Sequence, residues 1–156
     1  MEAVLQLIPA ARIGVKYPDG TYKSERHFLD FVVNGESLWD TVGKPHDMVS
    51  ALCADYAIEE AKKAVGRLVL TEKADLPNNR RSLFICSECG DLGCGAITAA
   101  VVKERDTITW KDFGYENNYE DAVFEKYKSL GPFTFKTEQY EGTLLQAIEG
   151  LTRLAT

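Results

Sequence analysis

Three of the four cysteines in this chain lie close together, as Cys86-Ser-Glu-Cys89, then Gly-Asp-Leu-Gly, then Cys94. Thiolates are good zinc ligands, and a Cys-x2-Cys turn followed by glycine is the geometry that zinc knuckles use. A structural site takes four ligands. Cys86, Cys89 and Cys94 supply three, and the fourth would be Cys53, His27 or His46; the chain has no second Cys-x2-Cys. The plainer reading is that these are small, mostly buried thiols around a tight strand-to-strand turn, since free cysteine behaves as a small apolar residue. Thiol redox chemistry is the weakest of the three. A thioredoxin-type site needs its Cys-x2-Cys at the start of a helix, whose dipole lowers the nucleophile's pKa. Here Gly90, Gly93 and Gly95 follow, and the next segment reads as a strand.

A second constellation runs from Trp110 to Tyr127. Between Asp112 and Glu125 lie Glu116, Glu120 and Asp121 with no lysine or arginine among them, and Phe113, Tyr115, Tyr119 and Phe124 are interleaved. Aromatic rings supply contact area, while carboxylates complement a basic partner and steer its approach. Asp112, Tyr115, Glu116, Tyr119, Glu120 and Asp121 are therefore the candidate partner-binding residues. The alternative is a solvated loop whose aromatics tuck into the core. The two histidines, His27 and His46, stand in no spacing with Ser, Cys or Asp that makes a triad. No phosphate loop, dinucleotide fingerprint, His-Glu-x-x-His or EF-hand loop is present. Catalysis is not favoured, and no catalytic residue is singled out.

The elements that must position these residues follow from periodicity and turn chemistry. Ala3 to Ile8 and Arg12 to Tyr17 read as strands separated at Pro9, and Tyr17-Pro-Asp-Gly20 is a turn. Phe28 to Val33 is a strand stopped by Asn34-Gly35. That pair suits a hairpin, but a step from strand to helix is preferred, because Ser37-Leu-Trp-Asp40 fits a capping box. Asp47 is expected to cap a longer helix, broken near Ala54 to Ala57, with Met48, Leu52, Cys53, Tyr56, Ala61 and Val65 on its apolar stripe. Arg67 to Thr71 reads as a β run. Leu83 to Cys86, Ala96 to Lys103 and Thr107 to Phe113 are expected to be neighbouring strands, the last two forming a long hairpin. Asp121 to Tyr127 suits a helical turn. Phe133 to Phe135 is extended, and Thr137 caps a final helix lined by Tyr140, Leu144, Ile148 and Leu151.

Strands and helices are segregated rather than alternated, which predicts a single α+β domain over residues 1–156 with a mostly antiparallel sheet. The length of 156 residues allows a core without staples. A formal net charge of −6 argues against a nucleic-acid or anionic-membrane binder, both of which need a basic face. The start of the chain lacks a basic segment and a long apolar run, so a cytoplasmic protein with reduced thiols is expected.

The blocks Cys86-x2-Cys-Gly-Asp-Leu-Gly-Cys-Gly95, Trp110-x-Asp-Phe-Gly-Tyr115 and Gly131-Pro-Phe-Thr-Phe135, preceded by Val33-Asn-Gly35, resemble in type and order a widespread family of small uncharacterised bacterial proteins. That likeness covers most of the chain and brings no activity to named residues. At the level of class, a small, acidic, single-domain chain also resembles the immunity proteins paired with secreted toxins. The reading is a non-enzymatic, cytoplasmic binding protein. It would block a basic, nuclease-like toxin by occlusion, through the acidic aromatic surface and without a cofactor. The alternative is a zinc- or thiol-dependent protein centred on Cys86, Cys89 and Cys94.

Overall fold

The computed structural model describes residues 2–89 and 94–155. Its strands are β1 (Leu5–Arg12), β2 (Val15–Lys16), β3 (Tyr22–Lys23), β4 (Arg26–Val33), β5 (Glu36–Ser37), β6 (Met48–Ser50), β7 (Arg80–Cys86), β8 (Ala96–Glu104), β9 (Thr107–Glu116) and β10 (Phe133–Lys136). Its helices are α1 (Ile58–Leu68), α2 (Thr137–Leu145) and α3 (Ala147–Leu154). Five strands form one sheet in the order β10-β9-β8-β7-β6, three form another in the order β1-β4-β5, and β2 and β3 make a separate ribbon. Neighbouring strands pair antiparallel throughout these sheets. The fold is α+β, with the expected β7, β8 and β9 side by side and the long β8–β9 hairpin at its centre.

The two larger sheets share one core. Phe31 of β4 meets Phe84 of β7 and Trp110 of β9 edge-on, with ring centres 5.7 and 5.5 Å apart. Edge-to-face pairing places the positive ring edge over the negative face, so the contact is directional as well as apolar. The indole N–H of Trp110 donates to the Tyr140 hydroxyl at 3.0 Å, which donates to the Leu68 carbonyl at 2.6 Å. That relay joins β9, α2 and the end of α1 with every polar atom partnered, as a buried network requires. Among the described residues, no helix is long and apolar enough to cross a membrane.

Several local expectations are corrected. The first part of the helix expected from Asp47 is instead strand β6, paired with β7 from Met48↔Cys86 to Ser50↔Phe84, whereas beyond the expected break α1 forms with Ala61 and Val65 buried. Met48, Val49 and Ser50 are all buried, so both faces of the strand are covered. A strand of that kind loses the alternation that marks strands in sequence. Asp47 sits at φ 55°, closing a short 3₁₀ turn over Lys44–His46. Arg67 to Thr71 is the last turn of α1 and its exit, not a strand. Burial of Leu68 and Val69 in the core outweighs their β preference.

Asn34 and Gly35, at φ 53° and 81°, form the two-residue hairpin between β4 and β5. A short π-helical segment, Trp39–Gly43, follows directly. Ser37 still acts as the capping box required, its Oγ accepting the Asp40 N–H at 3.0 Å. Pro9 does not interrupt β1, because β1 is an edge strand and proline lacks only a donor that no neighbour needs. Thr137 is the first residue of α2 rather than its cap, and its buried Oγ1 makes no hydrogen bond.

Candidate metal centre

Strand β7 ends at Cys86, and the turn after it returns to β8 through Cys94 and Gly95. The glycine is required: it sits at φ 137°, and a Cβ there would meet the Tyr115 hydroxyl at 2.6 Å. The Sγ atoms of Cys86, Cys89 and Cys94 lie within 4.8 Å of one another, with Cys89 and Cys94 at 2.9 Å. Cys86 is half-buried, whereas Cys89 and Cys94 are exposed. Two thiolates on one tetrahedral zinc stand about 3.8 Å apart.

The candidates for a fourth ligand lie elsewhere. Among the described residues, no further His, Cys, Asp or Glu joins the cluster. Cys53 is buried beside Phe28 on β4, and burial pushes its thiol up to about 11, which keeps it protonated. His27 sits between Glu25, at 3.1 Å, and Asp55, at 3.7 Å. His46 stacks on Tyr115 with centroids 4.9 Å apart, and its Nε2 lies 3.1 Å from the Tyr127 hydroxyl.

The cysteine turn is held from behind by groups the motif does not contain. The Tyr56 hydroxyl lies 2.6 Å from the Ser87 carbonyl and 3.2 Å from that of Cys86. Arg26 donates to the Ser87 carbonyl at 2.8 Å while its guanidinium lies over the Tyr56 ring. Arg12, 5% exposed, grips Asp47 through two hydrogen bonds of 3.0 and 2.8 Å and Glu88 through one of 2.7 Å. Glu88 also accepts the Ser24 N–H at 3.1 Å. The hydrogen bonds from Arg12 hold both carboxyls below the ordinary range. This shell fixes the backbone carbonyls of Cys86 and Ser87 and the side chain of Glu88, while Cys89 and Cys94 stay exposed, in the way supporting groups orient the ligands of a metal site.

The acidic aromatic residues divide into two sets. Asp112, Tyr119, Glu120 and Asp121 are exposed, Tyr119 by 83%. Glu116 is turned inward. It pairs with Arg80 at 3.0 Å, and Arg80 also donates to the Asp112 carbonyl and to Thr98. Asp112 occupies the irregularity in the β8–β9 register at φ 52°, where its carbonyl meets Arg80. Tyr115 is half-buried against His46.

The supporting residues Arg12, Arg26 and Tyr56 were not singled out from sequence. One signal of this kind was present: Arg80-Arg81 stands in an otherwise apolar strand, and a charge there demands internal partners. Comparison with known proteins adds nothing to the site, since no protein family, curated protein or solved structure matches the chain.

Proposed function

We propose that this is a metal–thiolate protein, holding zinc or a similar soft divalent ion through Cys86, Cys89 and Cys94. The observation that carries the reading is the convergence of three sulfurs within 4.8 Å on a turn whose backbone is held by Tyr56 and Arg26 and whose Glu88 side chain is held by Arg12. Three thiolates and one open position leave the ion able to take water or another ligand, the layout of a reactive rather than a closed structural site. The reading sets the protein in a reducing, cytoplasmic environment, where such thiols stay available. Protein purified anaerobically should carry about one zinc per chain, and chelation should lower its melting temperature. Cys86→Ser should abolish retention of the ion. Full stability without metal, together with no uptake from a zinc titration, would overturn the reading.

A second reading is favoured by the exposure of Asp112, Tyr119, Glu120 and Asp121 along one stretch. It takes the chain as an immunity-type inhibitor that occludes a basic, nuclease-like toxin. A pull-down from the native cell tests it. A captured basic protein whose association slows when those three carboxylates become amides supports it, and a pull-down without one removes it.

A further inference from the structure

A cavity of about 340 Å³ lies between α1 and the β6–β7 edge of the larger sheet, and Cys89 is part of its wall. Glu60, Ala61, Ala64 and Arg67 come to it from one face of α1, at the spacing that aligns residues on a helix side. The alanines make the space. Asp75 enters from the chain after α1; its side chain is 7% exposed, and its carboxylate accepts the Ser82 hydroxyl at 2.5 Å and the Ser82 N–H at 3.2 Å.

The charges in this cavity are incompletely matched. Among the described residues the ion pair of Arg67 is a 3.9 Å approach to Asp75, longer than a hydrogen bond, and Asp75 is already engaged by Ser82. A guanidinium presents a planar fork of donors suited to a carboxylate. Asp75, and Glu60, which Lys63 approaches only to 3.8 Å, offer acceptors for an ammonium. A wall that holds one cation and two anions over an alanine floor suits a small zwitterion, and the volume suits an amino acid or a short peptide.

Cys89 belongs to both the cavity and the sulfur cluster. We infer that the cavity binds a small aminothiol carboxylate, cysteine or a short cysteine peptide, whose sulfur takes the open position on the metal. The inference rests on the metal reading above. In the binding step the ligand's thiol gives its proton to solvent, its sulfur bonds to the ion, and a water leaves the ion. No electron is transferred. Arg67 receives the ligand carboxylate, and Glu60 and Asp75 receive its ammonium.

The test uses the full chain loaded anaerobically with one equivalent of Co(II), whose visible absorption reports its ligand set, and L-cysteine as the probe. L-cysteine is expected to shift the cobalt bands. L-serine, with oxygen in place of sulfur, should leave them unchanged. Cysteamine, which has the thiol and amine but no carboxylate, should bind at least about tenfold more weakly, and Arg67→Gln should weaken L-cysteine by a similar factor. The cysteamine arm needs no variant, so it stands even if Arg67→Gln fails to fold. Thiolate–cobalt bands that L-cysteine leaves unchanged, or that L-cysteine and cysteamine shift equally well, overturn the inference while the metal reading stands. Absence of thiolate–cobalt bands in the unmodified protein overturns the metal reading, and the inference with it.

Discussion

The cysteine turn and the acidic aromatic stretch are both conspicuous in sequence, yet the fold uses them in opposite directions. Around the turn, the supporting work falls to residues outside the motif: Arg26 and Tyr56 hold its backbone, Arg12 holds its Glu88 side chain, and Cys89 and Cys94 remain exposed. In the stretch, two of the residues that look most like partner contacts are occupied internally. Glu116 neutralises Arg80 and Tyr115 lies against His46. A side chain already committed to a neighbour within the fold has little left to offer a second protein. This is why the turn supports the stronger functional reading, and why only part of the stretch is available for binding.

The largest effect should come from Glu116. Its pairing with Arg80 is nearly dry, the two side chains being 16% and 8% exposed. Glu116→Ala leaves a guanidinium buried without its carboxylate, a change that costs about 3 kcal/mol or more. Glu120→Gln and Asp121→Asn, on exposed positions, should stay within about 0.5 kcal/mol. Urea unfolding of the three variants measures this directly. Equal, small losses in all three would show that Glu116 is as free as its neighbours, and the contrast between the two regions would fail.

Arg12 comes next and sharpens the other side. Arg12→Ala removes the link from β1 to Glu88 and Asp47, both half-exposed, so the stability cost should be about 1–2 kcal/mol. Its larger consequence should be on the metal. Loosening the turn that carries Cys86 and Cys89 should weaken zinc by about tenfold or more, as losing an orienting partner does at other sites. Competition against a chromophoric chelator reads the affinity. Unchanged affinity in a destabilised variant would make the network a matter of folding alone.

Tyr56→Phe removes one hydroxyl and keeps the ring beneath Arg26. The Ser87 carbonyl retains Arg26 as a donor while that of Cys86 loses its contact with Tyr56. A stability loss of about 1 kcal/mol is expected, with a smaller fall in zinc affinity than Arg12→Ala produces. A larger fall would make Tyr56, rather than Arg12, the chief support of the turn.

What could be read in advance divides along physical lines. The β7–β8–β9 order was legible because each strand is an apolar run bounded by glycine or a polar turn. β6 was not, since its residues are buried on both faces and happen to sit at spacings that also suit a helix. The three cysteines were visible as a cluster because sequence keeps them close. Arg12 lies 76 positions from Glu88, and a pairing set by two sheets coming together has no local signature. The alanines of α1 read as an ordinary apolar face, although beside Arg67 they form the cavity floor.

The smallest expected effect is a pH dependence at His46. Its ring lies against Tyr115 on one face, and partial burial together with Lys126 pushes its pKa below the ordinary 6.5. The unfolded chain therefore takes up a proton at this residue more readily than the folded one does. By linkage, the neutral ring's contribution is fully present above pH 6.5 and diminishes as pH falls through that value towards the lowered folded-state pKa. The sign is opposite to that of a histidine paired with a carboxylate, whose contribution is lost as pH rises. His46→Phe keeps the stacking surface on Tyr115 and removes the titration. Because the ring is only partly covered, the difference should not exceed about 0.5 kcal/mol. Urea midpoints at pH 7.5 and 5.5 decide it: the wild-type chain should lose more on acidification than His46→Phe does. Equal losses would place the acid sensitivity at other groups. Asp47 and Glu88, whose carboxyls Arg12 holds down, give a contribution present above the usual carboxylate range and lost only at lower pH. The histidine step should thus separate from theirs, at the side of the molecule where Tyr115 and Tyr127 meet the His46 ring.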